Sequence, residues 1–270
     1  EFIPLVNVRV LGGQYLFKPA AATAFESGAF GGNLNVDVTP AIKFNDSLSL
    51  IPSYYGAFRG TKDVVELVGG GTLSQQETDH TLSVRLISKL SSSLKLRLKT
   101  SYRTELLKEV VNEPWGKGLF DYNKLAAGIE LENKFGGVLN SLSLGAGVYN
   151  MTFTNYSSLA EGKAKEQGYS TAQWEELSGK VGKNVLDFLA AEIYLGSDLN
   201  LSESVPLRLN YNLTLQNFAD AKLIEDGPAY PGTKRADIAN GIGLLGNYYC
   251  ELGDAIKATL GLGLYTTIYG

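Results

Sequence analysis

The chain has one cysteine, one histidine, one methionine and two tryptophans among 270 residues. A lone thiol, Cys250, excludes an internal disulfide framework. A lone histidine, His80, leaves no second ligand at metal-site spacing, although Glu77 and Asp79 lie beside it. It reads as a solvated residue at a loop end. Ser74 and Ser83 are near it in sequence, but nothing orients either as a nucleophile, so no enzyme is expected. The run VELVGGGT, 65–72, has three glycines but lacks the lysine and the strand–turn–helix setting of a phosphate loop. It reads as a flexible loop, and no cofactor is expected. The net charge is -4, so no overall basic field draws in nucleic acid. No stretch reaches roughly eighteen consecutive apolar residues, which excludes a helical membrane span but says nothing against strands that cross.

What the chain does have is alternation. In LKLRLKTSYR, 94–103, Leu94, Leu96, Leu98, Thr100 and Tyr102 fall on one face. Lys95, Arg97, Lys99, Ser101 and Arg103 fall on the other. NLNVDVTPAIKF (33–44), VPLRLNYNLTLQ (205–216) and IKATLGLGLYTTIY (256–269) repeat the pattern. A period of two residues, sustained at this length, is a strand signal. The strands expected are 14–25, 33–44, 47–60, 77–90, 93–105, 122–134, 138–154, 186–198, 203–217, 235–250 and 255–268. A further strand at 5–11 is expected to turn at Gly12-Gly13.

The connections alternate in length. Asn45-Asp46, Ser91-Ser92, 135–137, 199–201 and 252–254 are hairpin turns, whereas 61–76, 106–121, 155–185 and 218–234 are long. Within the third long connection, Ser170 followed by Gln173 is a capping box and predicts a short helix. Pro40 and Pro52 fall inside expected strands, where each removes a ladder bond and demands an irregularity. No linker or change of composition divides the chain, so 1–270 reads as one domain.

Strands that alternate for ten to fourteen residues are long for a soluble sandwich, where about five or six is usual. About ten tilted residues cross a hydrocarbon layer, and in lipid the sheet must close on itself. The apolar face carries Leu, Val and Ile, with Tyr15, Phe17, Phe44, Tyr54, Phe58, Tyr102 and Tyr248 towards strand ends, like the aromatic belts of membrane proteins. The expected fold is therefore all-β: a transmembrane antiparallel meander β-barrel of about twelve strands, with short turns on one rim and long loops on the other. On repeated hairpins such as NLNVDVTPAIKFNDSLSLIPSYYGAF and KLAAGIELENKFGGVLNSLSLGAGVYNM, the chain resembles a bacterial outer-membrane β-barrel protein. The resemblance implies a place in the bacterial outer membrane, with membrane lipid and lipopolysaccharide as its surroundings and association into homo-oligomers as one option.

With the oily face outward, the inward basic residues are Arg9, Lys18, Lys43, Arg59, Arg85, Lys95, Arg97, Lys99, Arg103, Lys134, Arg208 and Lys257. The inward acids are Asp37, Glu130, Glu132 and Glu192, while Asp63, Glu66, Glu77 and Asp79 fall in loops. Like charges lining a pore set ion preference. The expected pore-lining set is Arg85, Lys95, Arg97, Lys99, Arg103, Glu130, Glu132, Glu192, Arg208 and Lys257, in a channel for passive passage of small solutes that leans towards anions. Pairing of Glu130 and Glu132 with the neighbouring lysines is an equally good use of those carboxylates. The alternative function is a barrel that serves as anchor or export conduit for a partner polypeptide or export machinery, with the long loops as the contact surface.

Overall fold

The alternating segments fold into one antiparallel meander. The computed structural model describes residues 1–17, 26–65, 72–108, 114–156, 165, 168–178, 184–202, 204–222, 234–251 and 257–269. Lys18, the glycines of 69–71, the turn at 252–254 and the side chains of Ser74, Cys250 and Lys257 lie outside the described residues.

The strands are β1 (Phe2–Ile3), β2 (Val6–Phe17), β3 (Glu26–Val38), β4 (Ala41–Lys43), β5 (Leu48–Val65), β6 (Thr72–Lys89) and β7 (Leu94–Lys108). They continue with β8 (Tyr122–Lys134), β9 (Leu139–Phe153), β10 (Phe188–Ser202), β11 (Val205–Lys222), β12 (Lys234–Glu251) and β13 (Lys257–Tyr269). A short helix, α1 (Thr171–Ser178), lies between β9 and β10. Its capping box forms as expected: Gln173 N–H donates to Ser170 Oγ at 3.3 Å, and Ser170 N–H to Gln173 Oε1 at 2.9 Å.

From β5 to β13 each strand pairs with the next in sequence. β1 and β2 make one pass, broken at Pro4, and β3 and β4 make another, broken at Pro40, so thirteen segments make eleven passes. The expected hairpin at Gly12-Gly13 is absent. These glycines continue β2 and pair with Gly32 and Gly31 of β3. A Gly-Gly step suits a turn and a close strand approach equally well.

The prolines share one line across the sheet. The ladder between β5 and its neighbour stops at Val38–Tyr54 and resumes at Ile42–Leu50, leaving Pro40 and Pro52 in the gap. The missing donors therefore fall where no ladder bond is made.

The rims are unlike. At the trimmed rim, Asn45 Oδ1 accepts the Ser47 and Leu48 N–H groups, each at 2.8 Å. The turn between β8 and β9 has φ of 82° at Gly136 and 76° at Gly137, a conformation that favours glycine. In the β4–β5 turn, Lys43 lies 3.0 Å from Asp46, and its hydrogen bond, then its charge, holds the Asp46 carboxyl below the usual range. The turn expected at 199–201 is strand instead, since β10 runs to Ser202. At the other rim, β5, β6 and β11 run further into the expected loops than alternation indicates, to Val65, from Thr72 and to Lys222.

Burial is inverted with respect to a soluble protein. Among the described residues the deeply covered polar groups include Asp79 (4 % exposed), Ser141 (5 %) and Thr214 (8 %), all on the polar face. Leu125 (59 %), Leu82 (58 %) and Leu144 (55 %), on the apolar face, are open. The polar face is the sheltered one. At ~3.3 Å per residue and a tilt near 45°, the 15 residues of β7 span roughly 35 Å along the normal, more than the roughly 25–30 Å of a hydrocarbon layer. Among the described residues no ladder joins β13 to β2, and both edge strands run from the trimmed rim towards the long-loop rim.

Candidate functional site: the charged lane of the sheltered face

Because the ladders from β6 to β11 keep one register through their middle parts, with shifts only near the trimmed rim at Asp198–Leu199 and Asn200–Ser202, residues of the polar face form straight rows across the sheet. One row reads Arg85, Lys99, Gly128, Gly147, Glu192, Thr214. A second holds Arg97 beside Glu130, then Gly145 and Tyr194. Towards the long-loop rim, Arg103 and Lys124 face each other across β7 and β8.

Most of the expected lining charges are satisfied in pairs. Arg97 binds Glu130 with one nitrogen and Glu132 Oε2 with the other at 2.5 Å, while Lys95 Nζ reaches Glu132 Oε1 at 3.4 Å. Tyr194 OH donates to Glu130 Oε2 at 2.7 Å, so this carboxylate is held from two sides. Arg208 Nε donates to Asp198 Oδ1 at 2.6 Å, and Ser141 Oγ donates to Asp198 Oδ2 at 2.7 Å.

Two acids placed in loops by sequence belong to this face. Glu77 pairs with Arg59, and Asp79 lies 2.7 Å from Arg103 Nη2. Arg103 also binds Glu105 at 2.6 Å, which accepts a further bond from Tyr122 OH at 2.7 Å. The expected contrast between a basic lumen and acidic loops is therefore softer than the sequence indicates. Arg85, Lys99 and Glu192 make no ion pair within 4.0 Å among the described residues; Lys124 Nζ sits 3.6 Å above the Tyr149 ring. Lys257, also in the expected lining set, opposes Glu251 by register.

These unpaired groups border a cavity of about 520 Å³ whose floor is Ala126, Gly128 and Gly147. A second hollow of about 390 Å³, nearer the trimmed rim, is edged by Arg97, Glu132, Asp198 and Arg208. Tyr194 divides them. Its ring lies flat over Gly145, its cross-strand partner, so that a methyl built on Gly145 would stand 2.0 Å from the ring Cζ. An aromatic ring covering a strand glycine shields the backbone and fixes the ring. Gly145→Val is expected to push Tyr194 off Glu130 and cost about 1–3 kcal/mol of stability, read as a lowered denaturant midpoint in lipid vesicles. An unchanged midpoint would show that the ring does not need this seat.

Sequence reasoning missed two devices at the long-loop rim. Asp121 and Asp187 each immediately precede a strand, β8 and β10. Asp121 Oδ1 accepts Leu107 N–H at 2.7 Å, and Asp187 Oδ1 accepts Phe153 N–H at 2.7 Å, so each aspartate ties its strand to the end of the preceding one. Asn155 Nδ2 donates to Gly116 O at 2.9 Å and to Gly118 O at 3.1 Å, holding 116–118 against the rim. The residue after each aspartate is aromatic and points to the sheltered face: Tyr122 meets Phe153 at 5.8 Å, and Phe188 meets Tyr149 at 5.8 Å and Phe218 at 5.3 Å. The repeated Asp-aromatic step was the available signal.

His80 is not at a loop end. It lies within β6 on the apolar face, with Nδ1 2.8 Å from Tyr54 OH and Nε2 2.7 Å from Thr78 Oγ1. Ser83 points to the opposite face, where its Oγ is 2.6 Å from Ser53 Oγ. The two residues cannot act together. Trp115 packs edge-on against Phe58 at 6.4 Å, with Lys108 Nζ 4.7 Å over its ring, so it fastens a loop to the rim.

No family model matches the chain, and no curated protein matches it. Among solved structures it is similar to the siderophore receptor PiuA from Acinetobacter baumannii, at 13 % identity and a TM-score of 0.34, over 90 % of this chain and 45 % of that one. It is similar to the copper transporter OprC at 12 % identity and a TM-score of 0.42, over 90 % and 44 % of the two chains. It is also similar to the open form of the ferric-catecholate import receptor Fiu from E. coli K12, at 10 % identity and a TM-score of 0.35, over 98 % and 55 %. The chain spans about half the length of the solved structures it matches.

Proposed function

We propose that residues 1–270 act as one unit that builds wall of a transmembrane β-barrel in the bacterial outer membrane, with small solutes passing along its charged face and anions favoured over cations. The observation that carries this reading is the inversion of burial. A sheet whose aspartates and threonines are sheltered while its leucines stand open is stable where the open side meets acyl chains. In water, the same apolar area would drive association.

The anion preference draws on the cations left over after pairing. Arg97, Arg103 and Arg208 are neutralised by carboxylates and contribute little field beyond their own contacts. Arg85, Lys99 and Lys124 are not, and among the described residues lining the cavity Glu192 is the acid without an ion pair. The proposed lining is the expected set, with Lys124 added and with Arg85 and Lys99 as the residues that set preference. Planar-bilayer recording of the purified chain under a salt gradient is expected to give a reversal potential on the anion side. A cation-side potential would overturn the preference. Conductance seen only after a partner polypeptide is added would favour the anchor or conduit reading.

A further inference from the structure

The row Arg85–Lys99 has a feature that pairing elsewhere on the face avoids. Two cations stand directly opposite each other on adjacent strands, a destabilising arrangement, with no carboxylate between them. Two further cation pairs on this face are relieved: Lys89 opposite Lys95 by Glu132 on the next strand, and Arg103 opposite Lys124 by Asp79 and Glu105, which bind the arginine. Beside Lys99 the next two positions of the row are bare glycines, and the first carboxylate, Glu192, comes only after them. The Gly128 and Gly147 backbones are in tight contact, because a Cβ on Gly147 would lie 3.2 Å from Ala127 O and 3.7 Å from Gly128 Cα. The floor is thus flat and empty, and the Lys124 ammonium overlooks it from the Tyr149 ring.

We infer that this cavity is a saturable site for a small phosphate monoester, a reading that rests on the solute-passage proposal and names the solute class. The doubly charged phosphoryl group neutralises Arg85 and Lys99, the guanidinium supplying a fork of donors and the ammonium a point charge. The organic body lies on the glycine floor, where Glu192 and the Ser101 hydroxyl accept and donate hydrogen bonds to its hydroxyls. Lys95 and Arg97 balance Glu130 and Glu132, and Arg85, Lys99 and Lys124 against Glu192 leave two positive charges at the cavity; Arg103 with Asp79 and Glu105 returns one negative charge towards the long-loop rim, so the surround keeps a positive excess for an anion. The volume, about 520 Å³, is that of a small-molecule pocket.

The test is isothermal titration of the full chain, folded in detergent micelles, with inorganic phosphate, glucose 6-phosphate and chloride at constant ionic strength. Both phosphates are expected to bind saturably and chloride not to. Arg85→Gln with Lys99→Gln is expected to weaken both phosphates by roughly a hundredfold, and Glu192→Gln to tighten inorganic phosphate several-fold. Ala126→Leu, which fills the floor without altering charge, is expected to weaken glucose 6-phosphate far more than inorganic phosphate. Circular dichroism and heat-dependent gel migration establish that each variant is folded. Phosphates binding no better than chloride, or a folded double variant binding like the parent, would overturn the site. The channel reading fails separately: saturable binding without bilayer conductance would sink transport and leave the site standing.

Discussion

Ile193→Arg is expected to lower stability in lipid vesicles by about 2–4 kcal/mol, the cost of a cation on the lipid face near the middle of a spanning strand. Ile193 sits in the central part of β10, in a row with Ile129 and Ala146, and it is 48 % exposed. The same substitution on a water-facing surface changes stability by no more than about 0.5 kcal/mol. The two environments therefore give different answers at one position. Denaturant titration in vesicles, followed by tryptophan fluorescence, reads the difference. A change within the smaller range would mean that the apolar face does not meet acyl chains, and the membrane reading would fall with it.

Arg97→Ala is expected to cost about 3 kcal/mol, because it strands two sheltered carboxylates instead of one. Glu130 and Glu132 both turn to this guanidinium, and their side chains are 23 % and 14 % exposed. Lys95 retains one contact with Glu132, and Tyr194 retains its bond to Glu130, but neither replaces the two-carboxylate bridge. The loss removes one positive charge from the face, so the reversal potential is expected to move towards cations as well. Adding Glu130→Gln and Glu132→Gln should return most of the lost stability. If the single substitution were silent in the denaturant midpoint, the bridge would be ornament on the sheet, not a brace.

The strands were legible because each one has two unlike faces. Tyr122–Lys134 has the same limits by alternation and in space, and 94–108 differs from its expected range by a few residues. Legibility fades where strands pass beyond the oily layer. In TLSQQETDH both faces are polar, so the expected strand starts only at 77, and Glu77 and Asp79 at its edge count with the loop acids although both lie well inside β6 and bind arginines. The pairing of Lys95 and Arg97 with Glu130 and Glu132 could be anticipated from charge, since consecutive expected strands carry opposite signs near the same trimmed rim, although the long connection 106–121 lies between them. The cover of Tyr194 over Gly145 could not, since a long connection with its own helix separates the two strands. The Gly12-Gly13 hairpin failed for a different reason: the residue type that permits a reversal also permits two backbones to lie close.

The edge strands β2 and β13 climb the same way, and this constrains how the wall is shut. A seam zipped directly between them would be parallel, with slanted, evenly spaced bonds unlike those at every other junction of the meander. Two copies standing upright side by side would bring β13 of one against β2 of the other and make that parallel seam twice. An antiparallel seam takes an odd number of intervening strands. Since each amide left open in acyl chains costs several kcal/mol, the direction of these two edges weighs more on assembly than any single side chain in the lumen.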